Sequence, residues 1–108
     1  MYRAVVVSFF LAAAQAQPHA SLYPNTSRIT ICSSPGYARA RLHWVAPPMV
    51  ETQIRVELPF GPPLTGWNTE AEGEAWTGDW VTDGMRFYLV DPAGDVLAAT
   101  LIKVRCGE

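Results

Sequence analysis

The feature that most constrains the fold is a strict alternation of apolar and polar residues in two stretches of the chain. In residues 38–46, "ARARLHWVA", one face carries Ala38, Ala40, Leu42 and Trp44. The opposite face carries Arg39, Arg41 and His43. In residues 51–59, "ETQIRVELP", the inward positions are Thr52, Ile54, Val56 and Leu58, with Gln53, Arg55 and Glu57 outward. A period of two with one apolar face predicts two half-buried β-strands.

The rest of the chain supports an all-β fold, because no segment shows helical periodicity over three turns. Further strands are predicted at 28–33, 70–78, 85–90 and 96–106, with a short strand near Leu64. Gly73 is a candidate for a bulge. Turns are predicted at Asp83-Gly84 and at "DPAGD", residues 91–95. We therefore predict a β-sandwich of about seven strands, with an open-ended barrel as the alternative.

The first 16 residues are predicted to be a secretory signal peptide. A single charge at Arg3 precedes an apolar run and the small-x-small cleavage site Ala14-Gln15-Ala16. The run of about 11 residues is shorter than the roughly 20 that span a bilayer, although a retained N-terminal anchor is the alternative. Residues 17–27 are interpreted as a flexible lead-in, in which Asn25 begins a glycosylation sequon or simply a turn. The domain is then expected to occupy residues 28–107.

Charge and export limit the partners. The net charge is −2 and no basic run is present, so we expect no nucleic-acid partner. No basic amphipathic helix is present, so we expect no membrane contact after signal cleavage. The predicted location is secreted, periplasmic or extracellular, and the partner is an unknown extracellular protein or a glycan.

The two cysteines, Cys32 and Cys106, are predicted to form one disulfide bond. Export favours oxidation, and two cysteines allow only one intramolecular pairing. In immunoglobulin-like sandwiches the first strand can run beside the last, which would bring these positions together. A metal site formed by two distant cysteines without a neighbouring histidine is much less favoured.

The tryptophans are the candidates for ligand binding. Trp44 is predicted to lie in the core. Trp76 and Trp80 are favoured as core residues or as a lid over it, although an aromatic row that stacks on sugars is the alternative. Trp67, in a loop, is the better candidate for an exposed contact.

No catalytic, metal or cofactor site is predicted. Five acids lie in one region but lack the spacing of a calcium loop, and a solvated face explains them: Glu70, Glu72, Glu74, Asp79 and Asp83. His19 falls in the lead-in and His43 points outward without an evident nucleophile. Two proline-rich loops, 45–51 and 59–67, suggest a loop-presenting inhibitor of an extracellular protease as a further alternative, although proline also simply ends strands.

Residues 29–104 resemble a group of short immunoglobulin-like modules in secreted bacterial proteins. The resemblance rests on "LHWVAP", "TQIRVELPFGPPLTGW" and above all "TGDWVTDGMRFYLVD" followed by a glycine loop. Such modules are often appended to larger extracellular proteins as stalks or accessory units. The resemblance implies an all-β, immunoglobulin-like β-sandwich of about seven strands and a location outside the cytoplasm, but no catalytic residues. We therefore expect a secreted, non-catalytic binding or structural module.

Overall fold

The computed structural model describes residues 20–106, and in that part of the chain it contains six strands and no helix. The strands are β1 (Ser21–Pro24), β2 (Arg41–Val45), β3 (Gln53–Val56), β4 (Glu72–Trp76), β5 (Met85–Val90) and β6 (Val96–Ile102). Within residues 20–106 no helix is available to cross a membrane. The predicted signal peptide, residues 1–16, lies outside the described residues.

The six strands form two antiparallel three-stranded sheets. Sheet 1 has the order β1-β2-β4 and sheet 2 has the order β3-β5-β6. Both sheets contribute to one hydrophobic cluster, which contains Leu22, Leu42 and Trp44 from sheet 1 and Ile54, Phe87, Leu89 and Ile102 from sheet 2. The sheets therefore pack face to face as in a β-sandwich. This confirms the predicted all-β architecture of two layers.

The alternation in residues 38–46 predicts the buried face correctly. All four apolar residues are buried: Ala38, Ala40, Leu42 and Trp44. In the second alternating stretch Ile54 is buried, but Leu58 is 50% exposed and its inward assignment was wrong. The strand ends at Val56, and Glu57 has a φ of 73°, so the backbone leaves the alternating geometry before Leu58. Gln53, expected outward, is buried, as is its cross-strand partner Val90.

The N-terminal part of the domain differs most from the prediction. Residues 21–24 form β1, so the assignment of 17–27 to a flexible lead-in was wrong there. β1 is fixed because it pairs along β2 and buries Leu22 opposite Trp44. The predicted strand at 28–33 is reduced to a single parallel bridge between Ile29 and Val104. The predicted strand near Leu64 is absent, since this segment contributes one isolated bridge at Pro63. The described part of the chain therefore contains six strands where about seven were expected.

The structure confirms the two predicted glycine turns but not the predicted bulge at Gly73. Gly84 and Gly94 both have positive φ, 83° and 90°, as the predicted turns require. The pairing of β2 with β4 continues without a shift through Gly73, so no bulge lies there. The register shift instead lies between Leu89 and Val90, where β5 pairs with β6.

Candidate functional site

The predicted disulfide is confirmed and holds down the segment after β1. Cys32 and Cys106 are bonded, with their Cα atoms 5.6 Å apart. Neither lies in a named strand, because Cys32 follows the bridge at Ile29 and Cys106 follows the end of β6. The Ile29 N–H donates to the Lys103 carbonyl at 2.9 Å, beside the disulfide. Residues 29–32 are therefore fixed at both ends against the chain that follows β6.

The three candidate tryptophans are all partly exposed, which corrects the expectation that Trp76 lies in the interior. Their exposed fractions are 41% for Trp67, 53% for Trp76 and 39% for Trp80, whereas Trp44 is 7% exposed and lies in the core as predicted. Trp80 keeps a lid role, since its ring stacks on buried Phe87 with centroids 6.3 Å apart. Trp76 is exposed because it faces away from the core, on the side of β4 opposite Ala75.

The exposed tryptophans do not share one platform. Trp76 pairs with Arg41 across β2 and β4, on the outer face of sheet 1. The guanidinium of Arg55, a β3 residue that alternates with buried Ile54, lies 5.7 Å from the centre of the Trp67 ring. Trp67 therefore belongs to the outer side of sheet 2. Because the inner faces of the two sheets pack together, Trp67 and Trp76 lie on opposite sides of the molecule.

Trp76 belongs to a continuous group of polar and aromatic side chains on the outer face of sheet 1. We call this group the outer row; it comprises Tyr23, His43, Glu74, Arg41, Trp76 and Arg39. The alternation of strands β1, β2 and β4 produces it, because each member of these strands stands next to an inward-facing residue. The outer row thus follows from the same pattern that builds the core.

The contacts at the histidine end of the outer row fix the imidazole. The rings of Tyr23 and His43 stack with centroids 5.4 Å apart. His43 Nε2 lies 3.2 Å from Asn25 Oδ1, and Nδ1 lies 3.9 Å from Glu74 Oε2. Both ring nitrogens therefore have polar neighbours, and in residues 20–106 neither is hydrogen-bonded to a hydroxyl or thiol. This arrangement orients His43 but does not provide a nucleophile next to it.

At the other end of the outer row, two arginines lie over Trp76. The Arg39 and Arg41 guanidinium carbons are 4.8 and 5.4 Å from the ring centre, within the range of cation–π attraction. Arg41 also pairs with Glu74, with Nη1 and Oε1 3.4 Å apart. Arg39 makes no ion pair with a carboxylate of residues 20–106. The positive charge of Arg41 is thus partly compensated by Glu74, whereas no carboxylate of residues 20–106 compensates the charge of Arg39.

A cavity of about 210 Å³ opens beside Trp76. One wall consists of Trp76, Arg39 and Arg41, and the other is formed by the segment 24–31, including Arg28. No Asp or Glu is among the described residues that line it, but Asp79 lines an adjoining cavity that shares Ile31, Arg39 and Trp76 with it. The bridge at Ile29 and the disulfide at Cys32 hold this second wall in place. The segment 24–31 and Arg39 were not predicted as site residues, although the outward face of the alternating stretch had already placed Arg39 and Arg41 at the surface.

The acids of residues 70–83 are distributed rather than gathered into a site. Glu74 contacts Arg41 on the outer face of sheet 1. Asp83 instead contacts the chain after β6, where its Oδ1 accepts a hydrogen bond from Val104 N–H at 2.9 Å. Glu70 and Glu72 are exposed to solvent. Within residues 20–106, no three histidine, cysteine or acidic side chains are close enough to hold a metal ion.

The proline-rich loop 59–67 is bound along the outer edge of β3. Backbone bonds join Val56 N–H to the Pro62 carbonyl at 2.9 Å and Leu64 N–H to the Ile54 carbonyl at 2.7 Å. The Thr65 hydroxyl accepts a further bond from Ile54 N–H at 3.0 Å. The loop therefore covers the edge of sheet 2, which is the structural role that proline-rich edge segments commonly have.

Comparison of the chain with protein-family models, with curated proteins and with solved structures found no match. The interpretation of function therefore rests on the geometry of residues 20–106. In that geometry the outer row and the cavity beside Trp76 combine exposed aromatic surface, fixed charges and a concave shape. We take these two features together as the candidate functional site.

Proposed function

We propose that this protein is an exported, non-enzymatic immunoglobulin-like binding module whose binding surface is the outer row. The observation that carries the proposal is the exposure of Trp76 beneath two arginines. Burial of a large aromatic ring lowers the free energy of the system. A ring that a folded domain leaves exposed is therefore a common anchor for a partner. The two arginines place positive charge next to that ring, so the surface can contact both apolar and negatively charged groups of a partner.

The strand order supports the immunoglobulin-like part of the proposal. In constant-type immunoglobulin sandwiches the first, second, fourth and fifth strands form one sheet, and the third, sixth and seventh form the other. The orders β1-β2-β4 and β3-β5-β6 correspond to this arrangement if the fourth strand of the seven is missing. The resemblance of residues 29–104 to accessory modules of secreted bacterial proteins agrees with the same assignment.

Two features support export. The N-terminal residues 1–16 have the order of a secretory signal peptide. The bond between Cys32 and Cys106 is typical of proteins that fold in an oxidising compartment. These features support a location outside the cytoplasm, as a secreted, periplasmic or extracellular protein.

The test is capture of a partner by the exported protein and by two matched variants. The immobilised protein is incubated with the cell-envelope and secreted fractions of the organism that produces it, and the retained material is quantified. Trp76→Ala should abolish retention, whereas Trp67→Ala, which removes a partly exposed indole from the opposite face, should not. Equal retention by both variants would contradict the proposal. Hydrolase turnover that disappears with His43→Ala would contradict the non-enzymatic part.

Glycan binding is the second candidate, and the exposure of Trp76 favours it. An aromatic ring on a sheet face offers a flat apolar surface to a sugar ring. Trp76 replaces Trp67 as the better anchor, because only Trp76 borders the cavity of about 210 Å³. Inhibition of an extracellular protease by loop 59–67 remains a prediction, to be tested by an inhibition constant that mutation in this loop weakens.

A further inference from the structure

We infer that the cavity beside Trp76 binds an anionic saccharide, a sugar that carries a sulfate or carboxylate group. The part of the Trp76 ring that Arg39 and Arg41 leave exposed would contact the sugar, and Arg28 and Arg39 would bind its acidic group. This inference rests on the proposed function, because it assigns a ligand class to the same surface. It depends on the distribution of charge, on the polar groups in the cavity wall and on the fixed geometry of that wall.

Positive charge is concentrated at this cavity although the protein is acidic overall. The net charge is −2, yet three of the eight basic residues, Arg28, Arg39 and Arg41, line the cavity. Arg41 is partly neutralised by Glu74 at 3.4 Å. Arg28 and Arg39 make no ion pair within residues 20–106. Two guanidinium groups are thus available to a sulfate or carboxylate, which they match with planar, paired N–H donors.

The remaining polar groups of the cavity suit sugar hydroxyls. Asn25, Thr26 and Thr30 also line the cavity. Amide and hydroxyl side chains both donate and accept hydrogen bonds, as sugar hydroxyls do. The cavity volume of about 210 Å³ is below the roughly 300–1,000 Å³ typical of sites for drug-sized ligands. A site of this size therefore fits a single ring of a longer chain.

The wall that carries Arg28 is held in position before any ligand binds. Ile29 is hydrogen-bonded on both sides, from its N–H to Lys103 and from Arg105 N–H to its carbonyl, each at 2.9 Å. Cys32, three residues further on, is covalently attached to Cys106. A fixed wall lowers the entropy lost on binding, which favours recognition of a small group.

The position of the other basic residues argues against nucleic acid as the ligand. Arg55 and Arg86 lie on sheet 2. Lys103 and Arg105 lie beside the cavity wall, where their backbones bond to Ile29, but Arg105 pairs with Asp83 at 3.8 Å. Nonspecific nucleic-acid binding requires a series of basic groups along the phosphates of a strand, and among residues 20–106 the basic residues outside the cavity are divided between sheet 2 and the segment after β6. A ligand with one acidic group per ring fits the localised charge better.

The experiment measures the affinity of the exported protein for defined probes by titration calorimetry. The probes are dextran sulfate, polygalacturonate, neutral dextran, a single-stranded oligonucleotide and a polyglutamate peptide. We expect a sulfated or carboxylated saccharide to bind at least about tenfold more tightly than neutral dextran. The ratio between dextran sulfate and polygalacturonate identifies the acidic group. Binding should weaken as salt is raised, because part of the attraction is between exposed charges.

Matched variants connect the binding to the cavity. Trp76→Ala and Arg39→Ala should each weaken binding roughly tenfold, and Arg39→Lys should recover only part of the loss because the ammonium lacks the planar pair of donors. Arg86→Ala removes the same charge from an exposed position on sheet 2 and should leave the affinity unchanged. Trp67→Ala is the corresponding control for the indole. Thermal unfolding of each variant verifies that the fold is retained.

Several results would overturn the inference. Equal weakening by Arg39→Ala and Arg86→Ala would show attraction to overall charge rather than to this cavity. Tighter binding of the oligonucleotide or of polyglutamate would assign a different ligand class. If no saccharide binds while Trp76→Ala still abolishes partner capture, the ligand class is wrong and the proposed function stands. If partner capture is also unaffected, both are wrong.

Discussion

The indole ring of Trp44 lies directly against the backbone of Gly73, its cross-strand partner between β2 and β4. A Cβ atom at position 73 would fall inside the contact distance of three ring carbons of Trp44. The ring also donates a hydrogen bond from its Nε1–H to the Glu70 carbonyl, with the two heavy atoms 3.4 Å apart. Glycine is therefore required at this strand position by the close approach of a core side chain.

We predict that Gly73→Ala destabilises the protein by about 1–3 kcal/mol, since the added methyl group overpacks the inner face of sheet 1. Chemical denaturation monitored by far-UV circular dichroism measures the change. Gly66→Ala is the control, because nothing lies within 4 Å of a Cβ at position 66. That substitution should be neutral or slightly stabilising. Equal effects of the two substitutions would show that contact with Trp44 is not the cause.

Thr77 is predicted to stabilise the entry to β2 through its hydroxyl. Its Oγ1 accepts a bond from the buried Ala40 N–H at 2.9 Å and donates to the Gly78 carbonyl at 2.8 Å. Thr77→Val keeps the shape but leaves the Ala40 N–H without that acceptor, which should cost about 1–3 kcal/mol. Thr77→Ser keeps the hydroxyl and should cost less. A Val variant as stable as the Ser variant in urea denaturation would disprove this role.

Gly84 is predicted to be needed for its backbone conformation alone. Its φ is 83°, and nothing lies within 4 Å of a Cβ at this position. Gly84→Ala should therefore destabilise by about 1–2 kcal/mol through backbone strain. Gly84→Asn should recover part of the loss, because asparagine tolerates positive φ better. Thermal melting of the three proteins ranks them, and an Ala variant at least as stable as the Asn variant would contradict the prediction.

The disulfide is predicted to contribute a large share of the stability. Replacing both Cys32 and Cys106 by serine should lower the free energy of unfolding by up to about 4–5 kcal/mol, because the bond closes a long loop in the unfolded chain. The β-type circular dichroism spectrum should persist at low temperature. The melting temperature of the unmutated protein, measured with and without a reducing agent, gives the same comparison. A thiol reagent that labels the unreduced protein would contradict the bond itself.

The sequence alone determined those features that depend on local pattern. Residues 38–46 specify their buried face by alternation, since successive side chains of a strand point to opposite sides. The turn at Gly84 follows from the conformational freedom of glycine. The pairing of Cys32 with Cys106 follows from the count of two cysteines, which allows a single intramolecular pairing.

Tertiary structure decided the features that depend on which strands meet. β1 was missed because "SLYP" has little strand pattern of its own and is fixed by pairing with β2 and by burial of Leu22. Trp76 was expected inside because tryptophan is usually well covered, yet the register that places it opposite Arg41 turns it outward. The cavity combines residues 24–31 with β2 and β4, and only the folded chain brings them together. The local pattern of a strand determines which of its side chains share one face. The pairing of distant strands determines which other residues lie beside them on the same face of the sheet.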